Sequence, residues 1–260
     1  MILPDRIQSM VSDRPYVCDQ IGLSGSEIRL YDEMVLKIGP RRPDTENGVR
    51  MMRWLHGKLP VPEVLAFEED RERQYVLMSK VHGKMACDSF YMTRPKALIP
   101  LLAEALRMLW SVNIADCPTR RSLDDELAEA RLRVERGQVA VSRAEPDTFG
   151  PDGFRDPAAL LSWLETHRPP VDPVLSHGDF CLPNIYLDGD RVSGFIDLGS
   201  AGAADRWRDI SLCYRSLKHN CDGTYGRCYP DVRPEQLFDA LGIAPDREKL
   251  RYYILLDELY

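Results

Sequence analysis

Residues 175 to 200 read LSHGDFCLPNIYLDGDRVSGFIDLGS, and three of their side chains have the oxygens that phosphate chemistry uses. Asp179 follows His-Gly, Asn184 stands five positions on, and Asp197 precedes Leu-Gly. Any one of them alone is an ordinary loop residue; the spacing is what needs a reason. Carboxylate and amide oxygens are the ligands Mg²⁺ accepts, one or two from protein with water and phosphate completing the shell. A further Asp beside such a metal can orient and deprotonate a hydroxyl nucleophile. A catalytic-loop Asp, an Asn five positions later and an Asp before Gly is the division of labour of kinases, so the pattern predicts Asp179 as base with Asn184 and Asp197 as metal ligands.

These residues need an element that gathers them. Asn184-Ile185-Tyr186-Leu187, an Asp188-Gly189 turn and Val192 to Ile196 read as a hairpin. Asp179 and Asn184 precede its first strand and Asp197 follows its second, so the three converge at one end.

Phosphoryl transfer also requires a nucleotide site, and the N-terminal part offers one. From Val17 to Ile38, VCDQIGLSGSEIRLYDEMVLKI alternates strand-like and turn residues, predicting three antiparallel strands. Gly22-Leu23-Ser24-Gly25-Ser26 is a loop whose N–H groups and hydroxyls can cover phosphates. Lys37, on the third strand, can neutralise them. A helix is predicted over Glu46 to Leu59, with Val49, Met52 and either Leu55 or His56 at helical spacing until Pro60 and Pro62. Two more strands follow near Val64–Phe67 and Gln74–Met78. After Ser79-Lys80-Val81-His82-Gly83 the chain turns helix-rich: PKALIPLLAEALRMLWSV, LDDELAEARLRVER, DPAALLSWLETH, ADRWRDISLCYRSL, PEQLFDAL and DREKLRYYILLDEL all have helical character. Asp156-Pro157 supplies an N-cap followed by proline at the first helical position.

VLSHGDFCLPNI, VSGFIDLGSAGAADRWRDIS, MMRWLHGKLPVPEVL and the closing YYILLDELY resemble the aminoglycoside 3'-phosphotransferases. The resemblance implies an α+β, bilobal protein-kinase-like fold: a small antiparallel-sheet N-lobe with one helix over residues 1–80, binding nucleotide, and a mainly helical C-lobe over 81–260 with the catalytic loop and substrate site. It implies ATP and Mg²⁺ as cofactors, Asp179 as base, Asn184 and Asp197 as metal ligands, and Lys37 and Ser24 on the phosphates. Ser79 and Val81 fall at the hinge that meets adenine, and Ile196 is grouped with the nucleotide contacts.

Three departures accompany the resemblance. The family's helix glutamate, partner of the strand lysine, falls by register on Gly48, and Glu46 lies about 200° around the helix from there. Where many members read Gly-Arg-x-Gly, this chain has Gly199-Ser200-Ala201-Gly202-Ala203, without the cation. His219-Asn220 stands where acidic residues are expected, with Asp222 just beyond.

On the substrate side, Asp257 and Glu258 lie in the last turn of a helix starting near Asp246, where they oppose the helix macrodipole. The expectation is that both, with the terminal carboxylate of Tyr260, Glu145 and Asp222, fold over the cleft beside Asp179 to hold ammonium groups. Arg215 is counted with these substrate residues. The function implied is ATP-dependent phosphorylation of an aminoglycoside at the 3'-hydroxyl, conferring antibiotic resistance. Open alternatives are a kinase for a macrolide, sugar amine or choline-like alcohol, and a non-catalytic nucleotide-binding relative suggested by Gly48.

Composition is compatible with this reading. The seven cysteines are scattered without a C-x-x-C pair, so free thiols are expected. A net charge of −7 argues against nucleic acid as partner and is compatible with a cationic one, and equally with acidity that serves solubility alone. No apolar run of membrane-spanning length and no signal-peptide pattern at MILPDRIQSM point to the cytoplasm.

Overall fold

The computed structural model describes residues 3–19 and 25–260. A short helix α1 (Asp5–Val11) precedes β1 (Val17–Asp19), β2 (Glu27–Leu30) and β3 (Met34–Pro40). Then come α2 (Pro43–Leu55), β4 (Val64–Glu69) and β5 (Arg73–Ser79). The strands form one antiparallel sheet in the order β1-β2-β3-β5-β4, which puts β3 at its centre. Because side chains alternate along a strand, Leu36 and Ile38 enter a core with Ile7, Val11, Tyr75 and Leu77, while Lys37 points from the opposite face.

Helix α2 differs from its expected span at both ends. Pro43, with φ preset for a first turn, starts it three residues early, and Gly57 at φ 75° ends it after Leu55. Of the two residues left open at its last turn, Leu55 is buried and His56 exposed.

The remainder is mainly helical, with two small sheets. β6 (Lys84–Met85) leads to α3 (Ser89–Met92), α4 (Pro95–Trp110), α5 (Leu123–Glu135) and α6 (Pro157–Thr166), the last capped by the Asp156 side chain. β7 (Pro173–Ser176) precedes the loop bearing Asp179. The hairpin β8 (Ile185–Asp188) and β9 (Arg191–Phe195) has β6 added at its side. β10 (Gly202–Asp205) pairs with β7, and α7 (Arg206–Cys221), α8 (Gln236–Leu241) and α9 (Arg247–Asp257) complete the chain. The large core takes Met51, Met52 and Leu55 of α2 together with Phe180, Leu182, Phe195 and Leu198, so α2 packs against the segments flanking the expected catalytic residues. All seven cysteines are free, and no helix among the described residues is long and apolar enough to cross a membrane.

Candidate active site

The hairpin gathers the three residues as its geometry requires. Its open end is closed by the Ile196 N–H donating to the Asn184 carbonyl at 3.0 Å, which brings the residue before Asp197 onto Asn184. The Asn184 amide donates to both the main-chain oxygen and Oδ2 of Asp179, each at 2.9 Å. Its own Oδ1 then has no hydrogen bond among the described residues, and neither has Oδ2 of Asp197. These free acceptors are what a hard divalent cation takes. No cluster of three or more His, Cys, Asp or Glu suited to a metal occurs among the described residues, so such a cation would complete its shell with phosphate and water.

The loop around Asp179 is held from below. Gly178 lies at φ 78°, and a Cβ there would stand 2.0 Å from the Ser200 carbonyl oxygen, so only glycine lets the two segments meet. The His177 Nδ1 accepts from the Asp179 N–H at 3.3 Å, which leaves Nε2 to donate to the Ile196 carbonyl at 2.9 Å. Fully buried Asp209 of α7 accepts from Ser176 Oγ and from the N–H groups of His177 and Gly178 at 2.8 to 3.0 Å. Burial pushes its carboxyl above the ordinary range, and these donors pull it back. The Cys181 thiol donates to Asp179 Oδ1 at 3.0 Å. Burial, then the neighbouring carboxylate of Asp179, raises that thiol well above its ordinary pKa, so it remains S–H.

On the sheet side, Lys37 Nζ lies 3.1 Å from Asp197 Oδ1. Asp197 sits in the left-handed region, at φ 59° and ψ 55°, a conformation that costs a non-glycine residue about 1–2 kcal/mol and needs support from its surroundings. Glu46 turns away from Lys37, and its Oε1 accepts from Gln74 Nε2 at 3.0 Å. Gly48 faces the turn after Asp197, 3.4 Å from Gly199 N to a would-be Cβ. Ser24 and the first residues of the expected phosphate loop lie outside the described residues. Ser79 is tied to Glu63, Oγ accepting from its N–H at 2.8 Å. The Val81 N–H has no hydrogen-bond partner among the described residues and is a free donor at the expected adenine position. Both main-chain groups of Ile196 are engaged, with Asn184 and His177.

On the helical side, Arg215 of α7 pairs with Asp257 and lies 3.5 Å from Glu258. Glu258 Oε1 accepts from the Glu145 N–H at 3.2 Å. Burial is the main cause that pushes the Glu258 carboxyl up to about 7, opposed by that N–H and Arg215. The Glu145 carboxylate meets His219 at 2.7 Å and Lys218 at 3.4 Å. The charges of Asp257 and Arg215 reach Cys181, and Ser216 Oγ of α7 accepts from Leu182 N–H at 3.0 Å, so this cluster adjoins the catalytic loop.

Two expected members lie elsewhere. Tyr260 is tied to the α5 region: its hydroxyl donates to Glu126 O at 2.7 Å and its main-chain oxygen accepts from Arg133. Its main-chain oxygen therefore meets Arg133 of α5, and Leu259 beside it is buried. Asp222 closes a local turn with Thr224 at 2.6 Å. His177, Asp209, Cys181 and Asn47 join the site only through the fold. His177 and Cys181 sit inside the quoted motif and Asp209 inside RDIS, which was the available signal; Asn47 had none.

An aspartate held by an asparagine at a hairpin mouth, with a sheet lysine on the carboxylate that follows the hairpin, is the arrangement of phosphotransferases of the kinase-like fold. Residues 20–253 match the model of the phosphotransferase enzyme family APH. The chain is 42% identical over 224 residues to an aminoglycoside 3'-phosphotransferase of Enterococcus faecalis, covering 84% of this chain and 79% of that one. It is 34% identical over 271 residues to that of Niallia circulans, covering 99% and 97%. The structure superposes on the aminoglycoside phosphotransferase APH(3'')-Id of Streptomyces rimosus with a TM-score of 0.81 at 27% identity, over 98% of this chain and 96% of that one. The same protein is also solved in complex with ADP and streptomycin. The chain belongs to the aminoglycoside 3'-phosphotransferase family.

Proposed function

We propose that this chain transfers the γ-phosphoryl group of ATP to the 3'-hydroxyl of an aminoglycoside. The observation that carries the reading is the Asn184 amide, which fixes Asp179 by two hydrogen bonds and leaves its own oxygen free. Residues 1–80 hold nucleotide, with Val81 offering an N–H to adenine and Lys37 meeting the phosphates; residues 81–260 hold the acceptor. Asn184 and Asp197 would hold Mg²⁺, which supplies charge neutralisation of the phosphates when bound. Each oxygen of the Asp179 carboxylate accepts one hydrogen bond in the structure, from Cys181 or Asn184, and retains a lone pair for the acceptor hydroxyl.

In the reaction the acceptor oxygen forms a bond to the γ-phosphorus while the bond from that phosphorus to the β–γ bridging oxygen breaks. The hydroxyl proton passes to Asp179 and ADP leaves. Asp179 contributes alignment and a proton acceptor, and Lys37 contributes charge, the terms that dominate phosphoryl transfer. The acidic cluster of Glu145, Asp257 and Glu258 supports a cationic acceptor, and the 3' position follows the names of the sequence relatives. An ATP-using resistance enzyme of this kind acts in the cytoplasm.

A second reading, a less cationic alcohol as acceptor, is favoured by one observation. Glu145 is already paired with Lys218 and His219, and Asp257 with Arg215, so part of the negative charge is spent internally. Turnover of ATP with kanamycin-like aminoglycosides, a macrolide and a choline-like alcohol separates the two. Turnover with aminoglycosides alone is the expected result; turnover only with the neutral or singly charged alcohols gives the second, and none with any acceptor overturns both.

A further inference from the structure

Asn47 is an asparagine in the second turn of α2 and is 7% exposed, with both amide N–H donors and its carbonyl oxygen engaged. Its Nδ2 donates to the carbonyls of Gly199 and Ala201, both at 2.9 Å, and its Oδ1 accepts from Thr119 Oγ1 at 2.6 Å. One side chain thus joins three segments: α2, the turn after Asp197, and the stretch before α5. That stretch is itself bound to the turn's far end, since Thr119 O accepts from Ala203 N–H at 2.9 Å.

The turn in question carries Asp197 in its left-handed conformation. Among the described residues no side chain of α2 pairs with Lys37: Glu46 accepts from Gln74, and position 48 has no side chain. The direct hydrogen bonds from an α2 side chain to the turn after Asp197 come from position 47. Gly199 lets them form, because a Cβ there would stand 3.0 Å from Asp44 O and push the turn away from the amide, while Gly48 keeps α2 close enough that even a Cβ would be in contact with Gly199 N, at 3.4 Å. Arg121 gives the Gly199 carbonyl a second, longer donor at 3.3 Å, but none to Ala201.

We propose that Asn47 is a positioning residue of the phosphotransfer site, locking the Asp197 turn against α2 so that the Asp197 carboxylate is presented to Lys37 and to the metal. The proposal rests on the reading of Asp197 as a metal-holding residue. Its mechanism is support of a strained backbone: two donors fix the carbonyls two and four residues past Asp197, which holds the turn against relaxation toward an ordinary conformation.

The test compares binding of a non-hydrolysable ATP analogue with and without Mg²⁺, together with hydrogen exchange of the amides at 198–202. In Asn47→Asp the shape and the acceptor for Thr119 persist, while two donors become acceptors facing carbonyls. Mg²⁺-dependent affinity is expected to fall by about tenfold or more, the worth of one or two lost hydrogen bonds, metal-free affinity to stay within about twofold, and the 198–202 amides to lose protection. Thr119→Val keeps both donors and frees only the anchor; it should show a smaller loss in the same direction and serves if Asn47→Asp does not fold. Unchanged Mg²⁺-dependent binding in the folded variants, or equal loss with and without metal, overturns the proposal. A parent protein that binds Mg²⁺-nucleotide yet phosphorylates no aminoglycoside would instead overturn the substrate reading and leave this test readable.

Discussion

Lys37 Nζ meets Asp197 Oδ1 at 3.1 Å, an ion pair joining the central strand of the sheet directly to the turn after the hairpin. Among the described residues no carboxylate of α2 pairs with the lysine, which rests on the residue read as a metal ligand. Restoring the family's acid as Gly48→Glu should therefore not help. A side chain there starts 3.4 Å from Gly199 N and must pass the Asp197 turn. The expected outcome is no gain in ATP affinity and a lower Tm, by about 2–4 °C for each kcal/mol of strain in a chain of this size. An improved KM for ATP would show that the turn yields and that the lysine was under-restrained.

Glu258 gives a pH dependence. Its carboxyl is raised to about 7, so the folded chain keeps a proton that the unfolded chain loses near 4.5. Between those values stability falls as pH rises, and above about 7 this group adds no further change. Binding runs the other way, since the charge that attracts ammonium groups develops only as Glu258 ionises. Aminoglycoside KM should fall from pH 6 to 8 in the parent. Glu258→Gln should remove the part of that fall due to the enzyme, and the ratio of the two profiles cancels titration of the ligand. Parallel profiles would place the titrating group elsewhere.

Asp209 holds the segment that leads into Asp179 through three hydrogen bonds, to Ser176, His177 and Gly178. Asp209→Asn places an amide N–H₂ against donors at 2.8 to 3.0 Å and leaves at least one buried donor unpaired. A loss of about 2–4 kcal/mol is expected, read as a lowered midpoint in urea unfolding, with kcat falling as the Asp179 loop loosens. An unchanged midpoint would mean that the loop is held by the Gly178–Ser200 contact alone.

The hairpin and the converging Asp179, Asn184 and Asp197 were legible because local periodicity and turn chemistry determine them, although the turn falls one residue later than expected, on Gly189-Asp190, with Asp188 paired to Arg191 at the end of β8. Lys37 was legible for the same reason: on a strand, its neighbours Leu36 and Ile38 assign its face. The helix α1 was not, since its seven residues carry only Ile7 and Val11 as buried anchors and gain their order by packing on the sheet. Nor were Asn47 and Asp209, whose partners lie 152 and 32 residues away in sequence and are chosen by tertiary packing. Tyr260 was legible for its charge and not for its partners: its main-chain oxygen accepts from Arg133 and its hydroxyl donates to Glu126 O, 127 and 134 residues away in sequence. For that reason Asp257→Ala is a cleaner probe of the substrate cluster than removal of the last residues. It should raise aminoglycoside KM far more than KM for ATP, and an equal change in both would remove Asp257 from the substrate site.

Product analysis of kanamycin after incubation with ATP and Mg²⁺ tests the central claim most directly, with a 3'-deoxy aminoglycoside and the Asp179→Ala variant alongside. The expected result is a single phosphate ester at the 3'-oxygen, no ester on the 3'-deoxy compound, and turnover lowered by orders of magnitude in Asp179→Ala with nucleotide binding retained. Phosphorylation at another hydroxyl, or a rate in Asp179→Ala close to that of the parent, would contradict it.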